Sequence, residues 1–578
     1  MKLSSNIRNY RAAAAAVVAA AVLTVSCTAG FEEMNRNPNA ANNATPELLL
    51  NSSIRGTMNL FGGEFNRVVM FNYTQLFVAF QGRFQRYSEE PSTLINYWRD
   101  AYVRCLMPAQ DIIRLYGGNP EYHNRVLMAR IWQCYLYSQI TAIWGPIPYE
   151  SGLSGDIISP YNREQDIYYM LFDDLKAAAG AIDMDGDVFS NDVLLAGSDG
   201  RSDLLKWKKF ANTLRLRLAM RISNAAPNGD PVKAQEIVED VFADEAVTLT
   251  ADADNVLSRF GGLISAEGGD YNPLYYYAVY EKEKNIGTLP AFGETAAYHM
   301  LPYGDPRVAV YAQRVVDRKV ADGTVPAHAG EYFGDTASYG GYGGESGLSY
   351  PGENIHSKLT REDYSAIGER FLAPDAEFIF MSYAESCFLK AEARLRGWGA
   401  SSSKTAEAYY YEGIRASMSH YDIPVDEVEA YLKTPGIAWG TATQTTDENG
   451  ADISAQFKDW LQICNSIVAQ NDFLHQIVMQ HWLAIPNQGV DAWTLMRRTQ
   501  LLQFEPCFSG YEGFYKYLPY RLKYPTSEVQ YNTTECEKAS SEYLTPRGSF
   551  SGNDMYVKLW WALPNVQNTN IPNPTPYL

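Results

Sequence analysis

Apolar residues recur at spacings of three and four along most of this chain, the period of a helix with one face in a core. The stretch HNRVLMARIWQCYLYSQITAIWG is the clearest case, with Val126, Leu127, Ala129, Ile131, Trp132, Tyr135, Leu136 and Ile140 in phase. EQDIYYMLFDDLKAAAGAI, LLKWKKFANTLRLRLAMRIS, FIFMSYAESCFLKAEARLRGWG and LHQIVMQHWLAI repeat the pattern. TPELLLNSSIRGTMNLFGGEFNRVVMFNYTQLFVAF reads as helix opened by Thr45 as cap and Pro46 in the first turn. Gly397 and Gly399 fall where helix-ending glycines belong. Helices of this length, joined by short Gly or Pro turns, predict stacked antiparallel hairpins in a mostly α fold. No strict sequence repeat accompanies them.

Two stretches break the period. From about 271 to 376 the chain is rich in Gly, Tyr, Ser and Pro, as in GYGGESGLSYPGENIHSKL. A long irregular segment with this aromatic content predicts a loop-rich lobe laid on the helical scaffold, where ligand residues tend to sit. A second irregular region runs from about Pro424 to Gln456, and the tail from Leu501 is rich in Pro and Tyr.

The N-terminus follows a third pattern. Lys2, Arg8 and Arg11 precede the uncharged run AAAAAVVAAAVLTV, then Ser26 and Cys27. This is a basic region and an apolar core of secretory length, too short to span a bilayer comfortably. The small residue before Cys27 fits lipoprotein processing, although Thr24 stands where leucine is usual. The expected organisation is a signal peptide over 1–26, a lipidated Cys27 with a linker to 44, and one domain over 45–578. Several acyl chains on Cys27 would hold the body at a membrane where one would be marginal.

Composition narrows the function. The net charge of −19 becomes three units more negative once the leader's basic residues are gone, which excludes a nucleic-acid footprint. The cysteines after Cys27 form no CxxC pair, so no zinc site is expected, and several sit among apolar helical residues as buried thiols. The chain carries 41 tyrosines, and aromatic faces suit the flat C–H surfaces of sugars. No HExxH, P-loop, GxSxG elbow or dinucleotide fingerprint is present. Glu385 and Glu392 are seven apart on one helix face, which predicts a structural role rather than acid–base work. His475 and His481, six apart, point to different faces.

Nine motifs then occur in an order that resembles the SusD/RagB family of nutrient-binding outer-membrane lipoproteins, in its SusD-like second group. They are FEEMNRNPNAANNATPELLLNS, WGPIPYE, SPYNREQDIYYMLFDDLKAA, LLKWKKFANTLRLRLAMRIS, DPR at 305–307, FIFMSYAESCFLKAEARLRGWG, QHWLAIPNQGVDAWTLMRRTQ, YLPYRLKYPTSEVQYN and LWWA. Pro146 departs from the family's aspartate in the Gly-Asp-Ile-Pro-Tyr turn. Glu32 and Glu33 resemble the acidic export signal of surface lipoproteins in Bacteroidota. The resemblance implies four tetratricopeptide-like helix pairs carrying a loop-rich ligand lobe, and a lid over a SusC-like TonB-dependent transporter. It implies a glycan or, in the RagB manner, a peptide as ligand, an outer-membrane location facing the cell surface, and no cofactor. A surface hydrolase is the competing class and would need a carboxylate or metal pair that the chain does not mark. Arg497 and Arg498, Trp144, Trp207, Trp482 and Trp493, and Tyr524 with Pro525 fall inside these signatures and read as scaffold. Candidate ligand contacts lie outside them: Phe84, Tyr87, Tyr339, Tyr342 and Tyr350 for stacking, with Asn72, Gln81 and Asn354 as polar partners.

If Cys27 is the tether, a full-length Cys27→Ala chain moves from the membrane pellet to the soluble fraction on cell fractionation. Persistence in the membrane would disprove the assignment.

Overall fold

The computed structural model describes residues 44–78, 91–156, 158–264, 269–280, 289–315, 365–444, 446, 449–452, 473–502, 519–546 and 550–563. Eleven longer helices form the scaffold. They are α1 (Pro46–Asn59), α2 (Pro91–Asp100), α3 (Met107–Tyr116), α4 (His123–Trp144), α5 (Glu164–Ala181) and α6 (Leu204–Arg221). Then follow α7 (Pro231–Phe242), α8 (Tyr383–Leu395), α9 (Ala406–His420), α10 (473–484) and α11 (Gly489–Thr499). Consecutive helices pack on one another: α3 on α4, α4 on α5, α5 on α6, α6 on α7 and α8 on α9. These are the packed helix pairs that the period predicts, although the connections 145–163 and 182–203 are longer than the short turns expected. No helix among the described residues is long and apolar enough to cross a membrane.

Local signals set the ends. The Thr45 hydroxyl accepts from Leu48 N–H at 3.4 Å, as the sequence suggests. Asp203, Asp230, Ser382 and Thr405 cap α6 to α9 by accepting from backbone N–H groups two or three residues on. Helix α8 ends with Gly397 at φ +79°, Gly397 N–H donating to the Arg394 carbonyl and Trp398 N–H to that of Ala393. That reciprocal pair satisfies two carbonyls that the last turn leaves free.

Helix α4 is the centre of the core. Every residue from Ile131 to Trp144 is buried, so the helix is surrounded rather than one-faced. Trp132 stacks on Tyr135 and meets Phe380 edge-on, and its indole N–H donates to Ser53 at 2.8 Å. Trp144, Trp207, Trp482 and Trp493 are all fully buried. Cys105, Cys134, Cys387 and Cys536 are buried free thiols; burial pushes Cys105 and Cys387 up to about 12.

Charged groups cross this core in matched sets. Arg217 of α6 forks onto Glu385 of α8 with two 2.6 Å bonds and reaches Asp491 of α11 at 3.1 Å. Asp491 also accepts from Arg221 at 3.0 Å and from Gln139 of α4. Arg498 forks onto Glu392 at 2.7 and 2.6 Å, while Arg497 donates to the carbonyls of Ala142, Tyr520 and Trp493. Both arginines of the pair are therefore scaffold, as are both glutamates of α8. The DPR turn forms another closed set: Arg307 binds Asp305, Ser417 and Gln480, with Arg307 and Asp305 wholly buried.

The period misled in three places. The segment after α1 is not one straight helix: wider turns over Leu60–Glu64 and Asn66–Met70 follow, with Gly63 out of helical geometry, before Phe71–Thr74. The irregular region after Pro424 opens with a helix, Val425–Tyr431, that buries Val428 and Tyr431. The Pro- and Tyr-rich tail holds helices Thr526–Tyr531 and Thr533–Lys538, and Pro525 stands at the start of the first. Helices of six or seven residues are too short to display a period.

Burial alone would raise the Glu392 carboxyl, but Arg498 and Arg396 hold it at about 2. Because the folded value lies below the ordinary one, its stabilisation is complete above about 4.5 and lost as pH falls toward 2. Glu392→Gln should cost about 3–5 kcal/mol in urea unfolding at pH 7, by stranding Arg498, and should flatten the acid limb of stability.

Candidate functional site

Four short segments, distant in sequence, lie side by side. Strand β1 (Phe77–Val78) pairs antiparallel with the strand Ala291–Phe292 in the register Phe77↔Phe292 and Val78↔Ala291. Ala291 bridges Ala366, and Ala312 bridges Ile367. Phe292 N–H donates to Ser365 at 2.8 Å, Ile367 N–H to Pro290 at 2.9 Å, and Gln313 N–H to Ala366 at 2.8 Å. Strands lie about 4.8 Å apart, so the whole platform is roughly 15 Å wide. Its underside is aromatic: Phe77 meets Phe71, Tyr311 and Phe371, and Tyr311 meets Tyr421. The Tyr311 hydroxyl donates to the Leu483 carbonyl at the end of α10, which ties the platform to the scaffold. Two glycines permit the close approach: a Cβ at Gly293 would strike the Gln75 carbonyl, and one at Gly368 the Val310 carbonyl.

This platform brings together the roots of the two segments that hold the sequence candidates. Val78 leads into 79–90, with Gln81, Phe84 and Tyr87, and Gln313 and Ala366, which flank the segment 316–364 with Tyr339, Tyr342, Tyr350 and Asn354, are hydrogen-bonded neighbours. Those seven candidates, and Cys27, lie outside the described residues. Asn72 is described and is fully buried, its amide donating to the Val68 carbonyl at 2.9 Å within its own helix. It belongs to the core and presents nothing to solvent.

Beside the platform stands a group of tyrosines that the sequence reading passed over. Tyr271 stacks on Tyr276 at 5.1 Å and 19°, and Tyr276 on Tyr280 at 5.4 Å and 29°. All three are half-buried. Asn272 fixes the base of this ladder, donating to the Phe371 and Ala373 carbonyls and accepting from Leu274 N–H. The i, i+4 spacing of Tyr276 and Tyr280 was the available signal.

A recess of about 370 Å³, its open mouth included, adjoins Phe371 and is lined by Arg370, Glu377, Tyr421, Pro486 and Asn487 among others. Arg370 lies 5.3 Å over the Tyr421 ring. Burial would raise Glu377, but the His420 hydrogen bond and the charges of His420, Arg259 and Arg370 bring it down to about 2. An acid held ionised in this way is a fixed acceptor, not a proton donor. Glu385 and Glu392 are shut in the core with their arginines. Burial pulls His475 down to about 4 and His481 to about 3, so both are neutral inside α10. Among the described residues no group of three or more His, Cys, Asp or Glu is placed to hold a metal ion. The arrangement offers stacking faces and fixed polar groups.

A family model of the SusD-like type, described as "Starch-binding associating with outer membrane", matches residues 38–525. Among solved structures the chain is similar to a chitin-binding protein at 22% identity and TM-score 0.66, over 90% of this chain and 100% of that one. It is similar to a chitin-binding SusD homolog from Flavobacterium johnsoniae at 21% identity and TM-score 0.64, over 90% and 98%. A SusD homolog from Parabacteroides distasonis matches at 21% and 0.65, over 90% and 98%. At these identities the likeness establishes the fold. No functionally curated protein matches.

The close approach at Gly368 makes a direct test of the platform. Gly368→Ala should cost about 2–4 kcal/mol in urea unfolding, while Gly118→Ala, which meets open space, changes nothing measurable. Equal behaviour of the two variants would disprove the packing described.

Proposed function

The chain belongs to the SusD-like family of starch-binding, outer-membrane-associating proteins, and from that membership we propose that it captures a glycan at the cell surface. It then passes the glycan to a SusC-like TonB-dependent transporter. The lipid on Cys27 holds the body at the outer membrane, and the linker to residue 44 lets it stand clear of the bilayer.

The observation that carries the binding half of this reading is the half-buried ladder of Tyr271, Tyr276 and Tyr280 beside the platform. Sugar C–H surfaces pack against aromatic rings without needing charge. Gln81, Phe84, Tyr87, Tyr339, Tyr342, Tyr350 and Asn354 complete the ligand face in this proposal, since their segments are rooted on the same platform. Aromatic rings take the sugar planes; the amides bond to hydroxyls. Such a binder needs no catalytic group, and Glu385, Glu392 and Asp491 of the described core are locked to arginine.

The net charge of −19 favours a second ligand class, cationic peptides, because the field of the body attracts them. The family's description as starch-binding favours glycans. Two similar structures are those of chitin-binding proteins, so chitin oligosaccharides belong in the same panel.

Calorimetric titration of the chain begun after Cys27 against starch and chitin oligosaccharides and cationic peptides tests the reading. Saturable glycan binding without released reducing ends is expected, and Tyr276→Ala should weaken it about tenfold, the equivalent of one aromatic contact. Binding confined to peptides would move the assignment to peptide uptake, and cleavage by the pure protein would overturn it.

A further inference from the structure

Ten tryptophans are described, and seven of them are buried: Trp98, Trp132, Trp144, Trp207, Trp482, Trp493 and Trp561. The other three reach the surface, which makes their surroundings informative. Trp398 carries the Arg396 guanidinium over its ring at 5.5 Å, and Trp560 lies against buried Tyr168. Trp439 rests on buried Tyr410 at 5.1 Å and differs in having a second, exposed ring beside it. Its ring stacks on Phe473 at 4.6 Å and 28°, and Phe473 is 39% exposed.

The turn that presents Trp439 is built with unusual care. Gln476, on the inner face of α10 and 4% exposed, gives its whole amide to this turn. Its Nε2 donates to the Gly436 and Ala438 carbonyls at 2.9 and 3.0 Å, and its Oε1 accepts from Gly440 N–H at 2.9 Å. The buried Tyr410 hydroxyl donates to the Ile437 carbonyl, and the Tyr411 hydroxyl accepts from Trp439 N–H at 2.8 Å. Gly436 at φ +89° and Gly440 at φ +70° make the reversals. A buried amide satisfied by one turn alone fixes that turn's conformation. An aromatic held this way loses little conformational freedom when it meets a ligand.

The rim of the patch is polar and balanced. Arg415 lies 5.9 Å over the Tyr411 ring and forks onto Glu429 at 2.7 and 3.2 Å. Paired opposite charges leave planar donors and acceptors in place without a net local field. Stacked rings bounded by such groups match a neutral pyranose, which has an apolar C–H face and a ring of hydroxyls. An anionic sugar or a charged peptide would find no counter-charge.

We propose that Trp439 and Phe473 form a second binding surface for a neutral glycan, separate from the tyrosine ladder and sharing no residue with it. The inference rests on the reading of the chain as a glycan binder. Two surfaces on one body make the second contact with a long chain intramolecular. The surface therefore acts on polymers and not on short oligosaccharides, which occupy one site at a time.

Affinity electrophoresis in soluble starch and in glycol chitin, with calorimetry against maltotriose and chitotriose, separates the two. Trp439→Ala and Phe473→Ala should each weaken polymer binding about tenfold while leaving trisaccharide binding and the thermal midpoint unchanged. Trp439→Phe should keep most of the polymer affinity. The wild-type chain gives an independent readout: the polymer, and not the trisaccharide, should shield Trp439 from acrylamide quenching, seen as the difference from Trp439→Phe. Polymer binding that survives both alanine variants, with no shielding, would overturn this inference and leave the receptor reading standing. A wild-type chain that binds no glycan would overturn both.

Discussion

Asp491 is the point on which the scaffold turns. It accepts from two arginines of α6 and from Gln139 of α4, and through Arg217 it is joined to Glu385 of α8. Moving an ion from water into a protein interior costs several kcal/mol, and only complete, well-aligned pairing offsets it. That requirement leaves little freedom: a one-residue slip of α4, α6, α8 or α11 would strand a charge in a core lined with tryptophan. The network therefore fixes the relative registers of four helices that apolar packing alone would hold less uniquely.

What the scaffold positions follows in sequence from those helices. Strand β2 (Val256–Arg259) and the strand Glu377–Met381 run antiparallel directly before α8, and Phe380 of the latter gives its carbonyl to Arg217. Just upstream lie Phe371, Ile367 and Gly368, the last two being part of the platform that roots the candidate ligand segments. The residues flanking the candidate segments are held there by backbone hydrogen bonds.

The two aromatic surfaces differ in how they are held. The tyrosine ladder is a local feature, two of its rings on one helical turn and the third next to Asn272. The Trp439 turn is wired from beneath by α10 and α9. Both stand on an acidic body, and in the proposed role both would meet a ligand through ring faces, so the overall charge need not govern recognition of a neutral glycan. A family described as starch-binding and associating with the outer membrane is a fitting home for such a design.

The amino-acid sequence by itself determined the elements whose causes are local. The helical period, the caps at Thr45, Asp203 and Ser382, the Gly397 ending and the buried tryptophans all follow from residues within a turn or two of one another. The double arginine and the α8 glutamates were legible as scaffold, although not as partners in one network. Tertiary structure alone decided the rest. Asn72 stands in polar, aromatic surroundings in sequence, yet packing seals it in the core, where its amide turns back on its own helix. The helices after Pro424 and Pro525 are too short for a period to show. The platform pairs Phe77 with Phe292 and Ile367 with Ala312, and which rings remain at the surface depends on those long-range pairings. Local pattern reports that a side chain seeks cover; only the folded chain determines what covers it.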